Sequence, residues 1–161
     1  MAAPQKLHHW EDCPVGSVLE FGGVTVTKEE ILRFARQFDP QPFHVDEEAA
    51  RRSPFGGLIA SGWHTASIAM RMWCDAFLLQ SASAGSPGVD KLQWKKPVRP
   101  GDTLRMRVTV VEARPLASKP DLGLVRSRWE VLNQADELVM HMEGLGLLLR
   151  RNAAPPTASS R

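Results

Sequence analysis

Asp39 and His44 stand five residues apart in the run Phe34-Ala-Arg-Gln-Phe-Asp-Pro-Gln-Pro-Phe-His-Val-Asp46, with Pro40 and Pro42 between them. Each proline fixes φ at about −65° and removes a backbone donor. A stiff turn of this kind can hold a carboxylate and an imidazole toward one small volume. Such a pair can position a water molecule and move its proton in either direction. Imidazole titrates near neutral pH, and burial tunes the carboxylate. The spacing also fits a plainer reading, in which Asp39 ends a helix and His44 is an ordinary loop residue, because Asp-Pro turns are common loop chemistry.

A helix must deliver Asp39 to this turn, and its start is marked. Thr27 is followed three residues later by Glu30, the capping-box pattern. Ile31, Phe34, Ala35 and Phe38 then form one apolar face. Pro40 disfavours helical geometry at Asp39 and ends the helix there. Asp46 can cap a short helix from Glu47 to Arg52. Ser53 to Gly57 reads as a loop. A long apolar helix is expected from Ala60 to Leu79, with Ser61, His64, Arg71 and Asp75 close to one polar stripe facing a partner, a cavity or water. His64 there reads as a packed or interfacial residue.

The remaining elements read as strands. Ser17 to Val26 precedes the helices, with Gly22-Gly23 as a bend or bulge. Leu92 to Val98, then the alternating Leu104, Met106, Val108 and Val110, then Leu124 to Leu132 and Leu138 to Leu149 follow them. Helices and strands in separate blocks indicate an α+β fold with an antiparallel sheet. Five strands and one long buried helix suggest that the sheet curls around the helix. Residues 1–16 are a lead-in, 17–149 the domain, and 150–161 a tail expected to be disordered.

Composition sets outer bounds. A chain of 161 residues suggests one domain. Apolar residues at 43% and charged residues at 24% are ordinary for a soluble protein and exclude a disordered or collagen-like chain. Lys plus Arg is 20 against 18 Asp plus Glu, a net charge of +2 that gives no footprint for nucleic acid or an anionic membrane. The apolar run from Leu58 to Leu79 is interrupted by Ser61, His64, Arg71 and Asp75, which argues against a membrane span. Cys13 and Cys74 lack a zinc or redox spacing and read as free thiols in a reducing compartment. With no secretory signal in the first residues, a cytoplasmic location is expected. His8, His9 and Cys13 match no standard metal site and lie in an N-terminus expected to be loose, so no metal is expected.

Asp39-Pro40-Gln41-Pro42-Phe43-His44 resembles the hydratase motif of the MaoC-like family, the (R)-specific enoyl-CoA hydratases and acyl dehydratases. That motif reads aspartate, any residue, asparagine, proline, any residue, histidine. The resemblance continues through Phe55 to Trp63, where the family has a glycine at the start of its central helix. It extends to Trp94-Lys95-Lys96-Pro97-Val98-Arg99-Pro100-Gly101-Asp102. Two positions depart from the pattern: Gln41 replaces the asparagine, and Phe38 stands where a glycine often precedes the aspartate.

The resemblance implies a single hot-dog fold. It also implies reversible addition of water to a 2-enoyl-CoA, giving a (3R)-3-hydroxyacyl-CoA. Asp39 and His44 would be catalytic, and the Gly62 N–H would meet the thioester oxygen. Gly62 also fits close helix–sheet packing. Gln41, Pro42, Ser61 and Trp63 would line the substrate, although Ser61 also fits as a small residue at a helix start. No metal or redox cofactor is implied, and coenzyme A enters as part of the substrate. The expected partner is a second copy of the chain, in a homodimer or an assembly of dimers. Lys95, Lys96 and Arg99 fit either CoA phosphates or a solvated strand edge. A hot-dog thioesterase and a non-catalytic acyl-CoA-binding subunit are the competing readings.

Overall fold

The structure is a computed structural model that describes residues 7–152. Strand β1 (Val18–Thr25) leads into helix α1 (Lys28–Phe38), the short helices α2 (Pro42–Val45) and α3 (Glu47–Arg52), and the central helix α4 (Gly62–Ala76). Strands β2 (Gly88–Trp94), β3 (Thr103–Pro115), β4 (Leu122–Leu132) and β5 (Leu138–Leu149) follow. The five strands form one antiparallel sheet in the order β1-β3-β4-β5-β2. One face packs on α4: Ala69 and Met72 of the helix join Met106, Val108, Trp129, Val131, Met140 and Met142 in the main core. The expected α+β architecture, a sheet around a central helix, is present.

Local chemistry accounts for the helix ends. The α1 capping box forms as read: the Glu30 N–H donates to Thr27 Oγ1 at 3.2 Å, and Glu30 Oε2 accepts from the Thr27 N–H at 2.9 Å. Asp46 Oδ1 caps α3 through the N–H groups of Glu48 and Ala49. The β1 register slips between Gly22 and Val24, where the glycine pair was expected to bulge.

Three boundaries differ from expectation. The central helix is shorter than Ala60 to Leu79, because the Ala60 N–H is drawn to Val98 O and Ser61 caps the helix. At its other end Phe77 leaves helical geometry at φ −144°, and Leu78–Gln80 form a separate 3-10 turn. The second strand runs Gly88–Trp94 and not Leu92 to Val98. Lys95 and Lys96 both turn their N–H groups onto Val139 O, and Pro97 has no N–H to continue a ladder.

The single polar stripe of α4 is also divided. Ser61 and His64 are buried, whereas Arg71 and Asp75 pair with each other on the exposed side. Residues 7–16 are not loose: Trp10 hydrogen-bonds Leu124 O at 3.2 Å, lies under the Arg150 guanidinium, and fills the space beside Gly123. Cys13 is buried in a second small core with Phe77, Val125 and Leu148. Of the tail expected to be disordered, residues 150–161, the first part is held: the Arg150 N–H donates to Asp121 O and the Arg151 N–H to the Glu11 carboxylate, while residues 153–161 lie outside the described residues.

Candidate active site

The end of α1 and the start of α4 meet at the Asp39–His44 turn. Asp39 follows the last residue of α1, with its N–H bonded to Ala35 O. Pro42 occupies the first position of α2, where its missing N–H costs nothing. One turn of α2 then swings His44 back toward Asp39. The two side chains meet with His44 Nε2 3.3 Å from Asp39 Oδ2. His44 is 5% exposed, so this contact lies at the edge of the interior.

Each partner is held by a second contact. His44 Nδ1 lies 2.8 Å from Ile59 O, and a carbonyl only accepts, so Nδ1 carries a proton. In the neutral ring, Nε2 therefore presents a lone pair toward the carboxylate. Ile59 also donates its N–H to Phe43 O, which fixes the backbone on both sides of this contact. Asp39 Oδ2 accepts from Ser61 Oγ at 2.7 Å, and Oδ1 accepts from Gln41 Nε2 at 2.7 Å. Burial pushes the Asp39 carboxyl up. The hydrogen bonds from Ser61 and Gln41 and the nearby imidazole outweigh it and hold the group below the ordinary carboxylate range. Gln41 thus reaches the aspartate itself, while Pro42 is exposed and shapes the turn.

Ser61 Oγ serves two purposes. It donates to Asp39 and accepts the Trp63 N–H at 3.2 Å, capping α4. The Gly62 N–H, at the first helical position, is left without a helical partner. A Cβ at Gly62 would lie 2.3 Å from Trp94 Cε2 and 2.4 Å from Cδ2, so close packing against β2 requires glycine here. An N–H without a helical partner and a packing constraint thus coincide at Gly62. Trp63 is exposed and stands edge-on to Trp94 at 5.2 Å.

Other residues singled out in the sequence fall elsewhere. Lys96 pairs with Glu137, and Arg99 donates to Phe55 O and, through its backbone, to Asp102. His8 stacks on Phe77, and His9 Nδ1 meets Leu7 O. Burial, with the Asp12 charge, pushes the Cys13 thiol up to about 11. Among the described residues no cluster of three or more metal-ligand side chains forms. No described helix is long and apolar enough to cross a membrane.

Two features of the site carried little sequence signal. The Ile59 contact is a backbone carbonyl and leaves no side-chain signature. Trp94 belongs to a stretch that reads as a continuing strand. A cavity of about 430 Å³ also lies between the second half of α4 and the sheet, lined by Met70, Trp73, Phe77, Trp129, Met142 and Gly146 among others. The dyad is not part of its lining. Met70 lies eight positions along the helix from Gly62, roughly 12 Å at about 1.5 Å per residue.

A MaoC like domain model matches residues 12–127 of the chain. The chain belongs to the MaoC-like family. Among solved structures, a MaoC-like dehydratase from Rhodospirillum rubrum superposes with a TM-score of 0.82 at 41% identity, covering 90% of this chain and 99% of its own. The uncharacterised protein YdeM of Bacillus subtilis is 32% identical over 141 residues, 88% of this chain and 98% of its own. A 3-hydroxybutyryl-CoA dehydratase of Methylorubrum extorquens is 29% identical over 157 residues, 95% of this chain and 92% of its own. A double hot-dog protein from Mycobacterium tuberculosis aligns with a TM-score of 0.76 at 22% identity, over 96% of this chain and 48% of its own. This MaoC-like chain therefore has the hot-dog fold that the sequence implied.

Proposed function

We propose that this MaoC-like protein is a hydro-lyase that adds water reversibly to a 2-enoyl-CoA, giving a (3R)-3-hydroxyacyl-CoA. The observation that carries the reading is the Asp39–His44 contact, with the imidazole anchored through Nδ1 and the carboxylate anchored by Ser61 and Gln41. Neutral Nε2 and the Asp39 carboxylate are both acceptors, so a water between them donates one hydrogen to each. Its oxygen lone pairs then face the substrate. As the water oxygen bonds to C3, one of its protons passes to the dyad and the C2–C3 π electrons move toward the thioester oxygen. The Gly62 N–H, at the positive end of α4, meets the charge on that oxygen. Return of the proton from the dyad to C2 completes the addition, and the reverse sequence eliminates water.

The reaction changes no oxidation balance that would call for a redox group, and the dyad supplies the base that a metal-bound water would otherwise provide. The apolar cavity beside α4 is the place for the acyl chain. A cytoplasmic protein with Cys13 and Cys74 as free thiols fits this chemistry.

The test is hydration of a panel of 2-enoyl-CoA esters, followed by loss of enoyl-thioester absorbance with chiral analysis of the product. Asp39→Asn and His44→Ala should each lower turnover by about 10²–10⁴. The double variant should be little worse than either, since the two act on one water. Hydration that persists in both single variants would refute the dyad. Release of free CoA would favour a thioesterase, and tight CoA-ester binding without turnover would favour a non-catalytic binding subunit.

A further inference from the structure

The indole of Trp94 lies face-on against Gly62. The position a Cβ would take at Gly62 is 2.3 Å from Cε2, 2.4 Å from Cδ2 and 2.8 Å from Nε1 of that ring. Cδ2 belongs to the ring fusion, so the face and not the rim covers the glycine. The contact is not part of the core: Trp94 is 45% exposed and Trp63, set edge-on to it, is 58% exposed. Trp94 is held at the end of β2 by pairing with Met140. The Lys95 N–H bonds to Val139 O immediately after it, so the backbone beneath the ring is fixed. A carbonyl bound at the Gly62 N–H would therefore lie beside a flat aromatic wall.

We infer that Trp94 is a specificity-determining residue, the wall of a thin slot that admits a flat group next to the thioester and excludes branching at C2. This rests on the hydratase reading for the identity of the ligand. A 2-enoyl thioester is planar from its carbonyl through C3 and fits against an aromatic face. A methyl on a tetrahedral C2, as in a 2-methyl-3-hydroxyacyl ester, stands out of that plane and meets the indole. One extra methyl against a close wall typically costs about 10–200-fold in selectivity.

The experiment compares wild type, Trp94→Phe and Trp94→Ala on 3-hydroxybutanoyl-CoA and 2-methyl-3-hydroxybutanoyl-CoA, reading dehydration by the rise in enoyl-thioester absorbance. Binding of saturated butanoyl-CoA and 2-methylbutanoyl-CoA is measured in parallel by calorimetry, with circular dichroism checking each fold. Wild type should prefer the unbranched ester by tenfold or more in both readouts. Trp94→Ala should erase most of that preference by improving kcat/KM and affinity for the branched ester, and Trp94→Phe should fall between. Should the alanine variant not fold, the phenylalanine variant carries the comparison. Equal changes for both esters would mean packing alone and would overturn the inference. Discrimination in binding without any turnover would sink the hydratase reading and leave this one standing. Failure to bind any CoA ester would sink both.

Discussion

His64 offers a test in which structure sets both sign and ceiling. Its ring stacks on Phe34 of α1 at 4.7 Å and 8°, and its Nδ1 is buried with no hydrogen-bond partner among the described residues. Burial holds its pKa below the ordinary 6.5; Glu30 pulls it up and Arg33 pulls it down. In the unfolded chain the imidazole takes a proton as pH falls through about 6.5, while the folded chain resists until lower pH. The unfolded state then binds more protons, so stability falls as pH falls. The loss accrues at up to about 1.4 kcal/mol per pH unit, which caps it at about 2 kcal/mol between pH 6.5 and pH 5. His64→Phe keeps a ring against Phe34, removes the titration, and removes an unsatisfied buried nitrogen that typically costs about 1–3 kcal/mol. Urea unfolding of both proteins at pH 8 and pH 5 reads the difference. The variant's stability relative to wild type should rise by up to about 2 kcal/mol on going to pH 5. Any fixed packing penalty from the larger ring cancels in that comparison. An unchanged gap at the two pH values would refute burial of a neutral His64.

Ser61→Ala should cost about 2 kcal/mol or more in urea unfolding, because it removes both a hydrogen bond to a charged group and a helix cap. It should also move Asp39 back toward the ordinary carboxylate range. The stability tied to the low Asp39 pKa is present above about 3.8 and is lost as pH falls through the folded value, so the variant should show a smaller loss there. Gly146→Val should fold normally, since a Cβ there meets only Val125 O at 3.9 Å. Its side chain enters the cavity beside Trp73, and kcat/KM should fall tenfold or more for long enoyl chains relative to short ones; equal losses would remove the cavity from the reaction. Light scattering at micromolar concentration should give a dimer, because edge strand β2 is open and Val89 and Met70 are exposed beside it; a monomer mass would count against that assembly.

How legible the site was depended on which groups build it. The capping box at Thr27 and Glu30 and the Asp46 cap involve residues two or three apart, so their side chains announce the helix starts, and both helices begin as expected. The end of α4 has no such marker: no glycine or proline stands between Ala76 and Gly85, and the apolar run continues through Leu79. The β2 error has a tertiary cause, the Val139 carbonyl that draws in Lys95 and Lys96 from 44 and 43 residues away. At the site, spacing brought Asp39 and His44 under suspicion, and the structure brings them into contact. Ser61 was expected near substrate, but its hydroxyl is spent on Asp39, a partner 22 residues distant that no local pattern reveals.

These contacts converge on one short segment. The Ile59 carbonyl sets the His44 tautomer, the Ala60 N–H ties the segment to Val98 O, the Ser61 hydroxyl holds Asp39, and Gly62 begins α4 beneath Trp94. Consecutive residues thus orient the His44 imidazole, the Asp39 carboxylate and the first N–H of α4. The backbone couples them, so they cannot be repositioned one at a time. An error of about 1 Å in such a site can cost about 10² in rate. On the proposed hydratase reading, the tether of Ala60 to Val98 therefore matters to turnover by fixing the position of this segment. It also gives a physical reason for Pro97 at the end of the turn after β2: a residue without an N–H ends the ladder to β5 and lets Val98 O face the helix start.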